Sequence, residues 1–127
     1  MSHFTIFNFP TFNDSHGSLT VLERLFPFEV ARNYWIYSAD DQIRGGHRHA
    51  DTLQALVAVS GMVSIYMNDG VNNENIILNH PSQCDLVEPK DWHTLSFGEN
   101  SVLLVMPSHP YNRSEYADTP YERASDD

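Results

Sequence analysis

Apolar and polar positions alternate in short runs along most of the chain, and turn-forming residues separate the runs. Residues 4–9 are apolar with partial alternation, and after the turn Asn13-Asp14-Ser15-His16-Gly17 residues 18–23 read as a second strand. Pro27 interrupts, and residues 30–38 resume with aromatic and β-branched side chains that favour extended backbone. Residues 52–59 and 62–68 flank Ser60-Gly61, a tight turn, and Asp69-Gly70 opens the reversal into residues 75–78. Shorter strands are predicted over 84–88, 94–97 and 101–106. Before Pro107 no longer stretch carries apolar positions at helical spacing. About nine short strands with turn signals every 8–12 residues predict an all-β sandwich or barrel.

From Ser108 the chain turns rich in Pro, Tyr and acidic residues, so 108–127 is expected as a surface tail on a single domain spanning 1–127. A length of 127 residues leaves no room for two sound cores, and 41% hydrophobic residues are enough for one. Seven Lys and Arg stand against 17 Asp and Glu, a formal charge of -10. That balance argues against nucleic acid and against an anionic membrane surface as partners. An anionic small molecule stays compatible if a few arginines gather in one pocket. Cys84 has no second cysteine to pair with, the first ten residues carry no basic, apolar leader pattern, and no apolar run approaches the ~20 residues that cross a bilayer. The expected compartment is the cytoplasm.

The segment with the most chemistry is Arg44-Gly45-Gly46-His47-Arg48-His49. In extended backbone, residues two apart share a face, so His47 and His49 project side by side. Such a pair alone is usually incidental in a β protein. Here Gln54 follows after four residues and Gly61 after six more, and Pro89-Lys90-Asp91-Trp92-His93 lies downstream. This spacing resembles the two motifs of the cupins, with Gln where metal-binding members carry Glu, and it implies a jelly-roll (double-stranded β-helix) barrel with His93 facing the same cavity. Three imidazoles can hold a divalent ion, but a neutral Gln is a weaker ligand than a carboxylate. Without metal, neighbouring neutral imidazoles suit proton transfer near neutrality. The residues themselves leave both readings open.

Across about 14–116 the chain resembles the sugar-nucleotide 3,4-ketoisomerases, the WxcM-like cupins. The resemblance rests on Asp14-Ser15-His16-Gly17-Ser18-Leu19, Pro27-Phe28, Arg32-Asn33-Tyr34-Trp35-Ile36-Tyr37, the Arg-Gly-x-His-x-His core, Asn68-Asp69-Gly70 and Trp92-His93. It implies a homodimer that shifts the ketone of a TDP-linked 4-keto-6-deoxy sugar from carbon four to carbon three through an enediol, with no metal or nicotinamide cofactor. The product would feed an aminotransferase in the making of a surface polysaccharide. By resemblance His47 and His49 are the catalytic pair, and Arg44 and Arg32 meet the diphosphate. Tyr34 and Gln54 line the substrate region, with His93 beside them; packing or support roles for these three, and a solvated charge for Arg32, are the plainer alternatives. If 30–38 is one regular strand, Arg32 and Tyr34 share a face, and Trp35 and Tyr37 turn toward core or interface. His16 and Ser96 occupy substrate-region positions at which relatives commonly carry other residues, which leaves the configuration at carbon four open. His47-Arg48-His49-Ala50 likewise departs from the family's usual His-Ala-His-Lys. Two other functions compete: a metal-dependent cupin oxygenase or isomerase using His47, His49, His93 and Gln54, and a non-catalytic nucleotide-sugar-binding cupin.

Overall fold

The computed structural model describes residues 4–117. Among them the elements are β1 (Ile6–Asn8), β2 (Thr11–Asp14), β3 (Gly17–Thr20), β4 (Tyr34–Ile36), β5 (Ile43–His49), β6 (Gln54–Ser60), β7 (Val63–Asn68), β8 (Asn73–Leu78), β9 (Gln83–Val87), β10 (Trp92–Phe97), β11 (Val102–Pro107), a 3-10 turn (Arg113–Glu115) and β12 (Tyr116–Ala117). One five-stranded sheet runs β1-β9-β6-β11-β4 and the other β12-β5-β10-β7-β8, with every pairing antiparallel. The chain is all-β, as its patterning predicts, and the two sheets face each other across a jelly-roll interior.

The core follows from the alternation. Leu56, Ala58, Val63, Ile65, Met67, Leu95, Phe97, Leu103 and Val105 are buried between the sheets, while Ala55, Val57, Cys84 and Met106 point to the other side of theirs. That second face is covered by Phe7, Phe9, Phe26 and Phe28, with the Phe26 and Phe28 rings stacked 5.2 Å apart. Strand β1 therefore needs apolar residues on both faces, Ile6 for the interior and Phe7 for the outer cluster. It pairs with β9 of its own chain, Ile6 opposite Asp85.

Several elements differ from expectation. Residues 30–33 are not a strand: Pro27 and the positive φ of Arg24 (52°) belong to an irregular run that ends only at Tyr34. The turn at Ser15-His16 closes a hairpin, so β2 precedes it as a strand that polar Asn13 and Asp14 concealed. Strand β5 was hidden by its two glycines. The tail region is tied down within the described residues, since Ser108 exchanges hydrogen bonds with Leu53 and β12 pairs with β5; the end of the chain from 118 lies outside them. The Ser60-Gly61 turn is present, and a Cβ on Gly61 (φ +74°) would stand 2.8 Å from the Ser101 Cα, so only glycine fits there.

Asp85 on β9 is fully buried, in register with Leu56, and neither carboxylate oxygen has a hydrogen-bond partner. Burial, with Asp91 and Glu74 adding repulsion, pushes its carboxyl up to about 8 from an ordinary 3.8. The folded state thus prefers the protonated form. Its stabilising share is complete below the ordinary carboxylate value and is lost as pH rises toward 8. The stability of Asp85→Asn relative to the parent is expected to rise by about 1.4 kcal/mol per pH unit between pH 5 and 7 and to level off near 8. Superimposable pH–stability curves for the two proteins would refute this account of Asp85.

Candidate active site

The site is organised by an irregularity in β5. Against β10, His47 stands opposite His93 but Gly45 stands opposite Thr94, so one residue is inserted at Gly46. Gly45 and Gly46 both have positive φ (85° and 76°), and a Cβ on Gly45 would lie 3.0 Å from the His93 carbonyl oxygen. The bulge changes which side chains share a wall. Arg44 and His47 are three apart and would face opposite sides of a regular strand, yet both line one cavity of about 380 Å³.

Tyr34, Gln54 and His93 line that cavity with them, over a floor of Leu56, Leu95 and Val105. His93 is buried on the inward face of β10 with its Nδ1 3.3 Å from the Asp91 carbonyl oxygen, which orients the ring. The Gln54 amide donates to the Tyr34 hydroxyl at 3.5 Å. Arg32 reaches Tyr34 although the strand expected to carry both does not form: its guanidinium lies 4.6 Å from the Tyr34 ring centroid and 5.6 Å from that of Tyr111. Its Nε is buried with no hydrogen-bond partner. His49 sits behind His47, buried, with both ring nitrogens unpartnered. Ring centroids of His47 lie 5.1 Å from those of both His49 and His93.

Desolvation governs the electrostatics. Burial, reinforced by His47, lowers His93 to about 3 and His49 to about 4; Arg32 adds to the lowering at His49, and Glu115 opposes it. Both rings are therefore neutral near pH 7. Burial raises Tyr34, against the pull of Arg32 and of the hydrogen bond with Gln54, so its hydroxyl keeps its proton. The wall thus holds uncharged imidazoles at His49 and His93 and a protonated phenol, beside guanidinium groups suited to phosphate oxygens. Among the described residues, no group of three or more His, Cys, Asp or Glu side chains is arranged to hold a metal ion.

Not every expected residue meets the cavity. His16 is at the tip of the β2–β3 hairpin, its side chain 93% exposed and its backbone N–H bonded to Asp14. Ser96 is exposed on β10, between inward-facing Leu95 and Phe97. Neither lines the cavity within this chain. Trp35 and Tyr37 are 59% and 63% exposed at the cavity rim, not in the core. Sequence reasoning missed Tyr116, whose ring centroid lies 4.6 Å from His47 and 4.4 Å from His49. The β-strand propensity of a lone Tyr-Ala pair is too short a signal to place it.

A jelly-roll barrel with imidazole, phenol and guanidinium groups around one cavity defines a cupin with proton-transfer capability. The family described as FdtA: WxcM-like, C-terminal, matches residues 2–123, and the chain belongs to it. It is 31% identical over 115 residues to the TDP-4-oxo-6-deoxy-alpha-D-glucose-3,4-oxoisomerase of Aneurinibacillus thermoaerophilus, covering 87% of this chain and 83% of that one. A 3,4-ketoisomerase from Helicobacter canadensis superposes with a TM-score of 0.86 at 37% identity, over 94% of this chain and 92% of the other. The TDP-quinovose 3,4-ketoisomerase WlaRB of Campylobacter jejuni gives 0.87 at 33%, over 94% and 95%.

Because His49 and His93 are held neutral by burial, neither ring is expected to take up a proton between pH 5.5 and 8 in an NMR titration of the imidazole C–H signals. A midpoint near the ordinary 6.5 for either would contradict the desolvated wall.

Proposed function

We propose that the chain is an isomerase that converts a TDP-4-keto-6-deoxyhexose to the TDP-3-keto sugar, with His47 and His49 as the catalytic pair. The observation that carries this reading is the β5 bulge, which sets His47 and Arg44 on one cavity wall with His49 packed directly behind. Family membership supplies the reaction type.

The carbon-three proton is acidic because the neighbouring ketone can take up the electron pair released when it leaves. His47, which faces the cavity, accepts that proton; a C3–C4 double bond forms and the carbon-four oxygen becomes a hydroxyl, giving the enediol. The Tyr34 hydroxyl, having given its proton to the carbon-four oxygen, takes up the one on the carbon-three oxygen, which creates the new ketone, while the proton held on His47 returns to carbon four. No electrons enter or leave the sugar, so the chemistry needs no nicotinamide. The Tyr34 hydroxyl and Gln54 amide are donors for the developing enediolate oxygen, and His93 holds the wall beside His47. Arg44, on the cavity wall, and Arg32, beside Tyr34, take the diphosphate. His16 and Ser96, placed away from this chain's cavity, belong to this scheme only if a second chain brings them to it.

A homodimer is the assembly we propose. Phe12 and Leu19 on the β2–β3 hairpin are each 62% exposed, and Val59 and Trp35 also leave apolar area in solvent that a second copy would cover. A monomeric elution mass would count against it. The single buried Cys84 agrees with a reducing, cytoplasmic setting, and no helix among the described residues is long and apolar enough to cross a membrane. A 3-keto sugar is the substrate type an aminotransferase requires, which fits the supply of an amino sugar to a surface polysaccharide.

Incubation with TDP-4-keto-6-deoxyglucose in deuterated water is expected to place deuterium on the ring, with activity retained after chelation. Tight binding without exchange would favour the binder, and loss of activity together with a stoichiometric metal would favour the metal-dependent enzyme. His47→Ala and His49→Ala are each expected to lower kcat by at least about 100-fold in a folded protein. Arg44→Ala is expected to raise KM by about tenfold or more while kcat changes little; an unchanged KM would remove Arg44 from the diphosphate site.

A further inference from the structure

His49 is buried without any hydrogen bond to fix its ring, yet the proposed chemistry needs it in one orientation behind His47. Imidazoles used in proton transfer are ordinarily oriented by a partner on the second nitrogen. Here only packing is left to do it: His47 and His93 supply rings 5.1 and 6.2 Å away, and the tail supplies the nearer one. Tyr116 stands opposite His49 in the β12–β5 pairing, and its ring meets His49 nearly edge-on (66°) and His47 at a tilt (39°). Tyr111 adds a ring 5.7 Å behind Tyr116.

The strand that carries Tyr116 is only two residues long and cannot hold itself in place. Glu115 supplies the anchorage. Its Oε1 accepts from the backbone N–H groups of Asp51 (2.7 Å) and Thr52, and its Oε2 accepts from the Thr52 hydroxyl at 2.5 Å. Its own carbonyl accepts from the Ala50 N–H at 3.1 Å. All three residues gripped, Ala50 to Thr52, directly follow His49. The approach of the tail is fixed one turn earlier, where Asn112 caps the 3-10 turn by accepting from the Ser114 N–H and hydroxyl.

We infer that Glu115 and Tyr116 are positioning residues: the carboxylate latches the tail to the 50–52 loop, and the phenol ring thereby clamps the His47–His49 pair and shuts water out from behind it. The kinetic part of this inference rests on the isomerase reading; the structural part does not. Without the latch the Tyr116 ring leaves, His49 gains both solvent and rotational freedom, and the pair loses its alignment while the diphosphate site on Arg44 is untouched.

The test uses the full chain and the variants Tyr116→Ala, Glu115→Ala and Tyr116→Phe, each checked for folding by circular dichroism. Carbethoxylation of His49 by diethyl pyrocarbonate is followed by mass spectrometry, with the exposed His80 as internal reference. In Tyr116→Ala and Glu115→Ala the rate at His49 relative to His80 is expected to rise about tenfold or more, as local opening becomes frequent. Turnover of TDP-4-keto-6-deoxyglucose is expected to show kcat lowered about 10- to 100-fold with KM within about threefold, the cost of a misplaced catalytic group. Tyr116→Phe keeps the ring and is expected to restore both. Unchanged labelling in the two alanine variants would overturn the inference, and so would a Tyr116→Phe protein as slow as Tyr116→Ala, which would assign the role to the hydroxyl. Should the parent fail to turn over this sugar, the labelling alone decides the clamp, and only the isomerase reading falls.

Discussion

The site depends on one backbone device, the inserted residue at Gly46 in β5. Antiparallel pairing enforces strict alternation, and alternation would send Arg44 and His47 to opposite sides of the sheet. The bulge spends one residue to reset the phase. An arginine for an anionic group and an imidazole for a proton then share one wall, and the His93 carbonyl stands so close to Gly45 that a side chain there has no room. Two adjacent glycines are the chemical requirement for that geometry, since both take positive φ.

Burial then decides how the assembled groups behave. The protein carries a formal charge of -10, yet its cavity concentrates guanidinium groups and imidazoles. Around the imidazoles desolvation is the largest influence: it holds His49 neutral in spite of Glu115, and His93 neutral in spite of its hydrogen bond with the Asp91 carbonyl. The same physics leaves Asp85 as an unpartnered carboxyl in the opposite sheet, a stability cost that the chemistry proposed for the cavity does not use.

The 3-10 turn and β12 bring remote residues to the site. Hydrogen bonds from Asp51 and Thr52 to Glu115 span more than sixty positions of sequence, and they join the segment after His49 to the strand that covers it. The packing of the histidine pair therefore belongs partly to a segment that composition marks as surface tail. Directional bonds of this kind, unlike apolar contacts, fix a segment of only a few residues.

The alternation of apolar residues and the glycine-marked turns determined, without coordinates, that the chain is all-β, and the resemblance of its motifs to the cupins pointed to His47, Gln54 and His93, which line one cavity, and to His49, which packs behind His47. Those features are local: strand period and short-range spacing decide them. Residues whose placement needs a partner from elsewhere were out of reach. Arg32 meets Tyr34 through a guanidinium–ring contact and not through a shared strand; Trp35 and Tyr37, expected in the core or an interface, are exposed and so outside the core; Tyr116 meets the histidines from a segment whose Glu115 is held by the 50–52 loop. The phase of Arg44 was likewise invisible, because a bulge is defined only against the strand it pairs with. Period and spacing are properties of one segment, whereas register, stacking and burial are properties of two segments brought together, and only the folded chain specifies both.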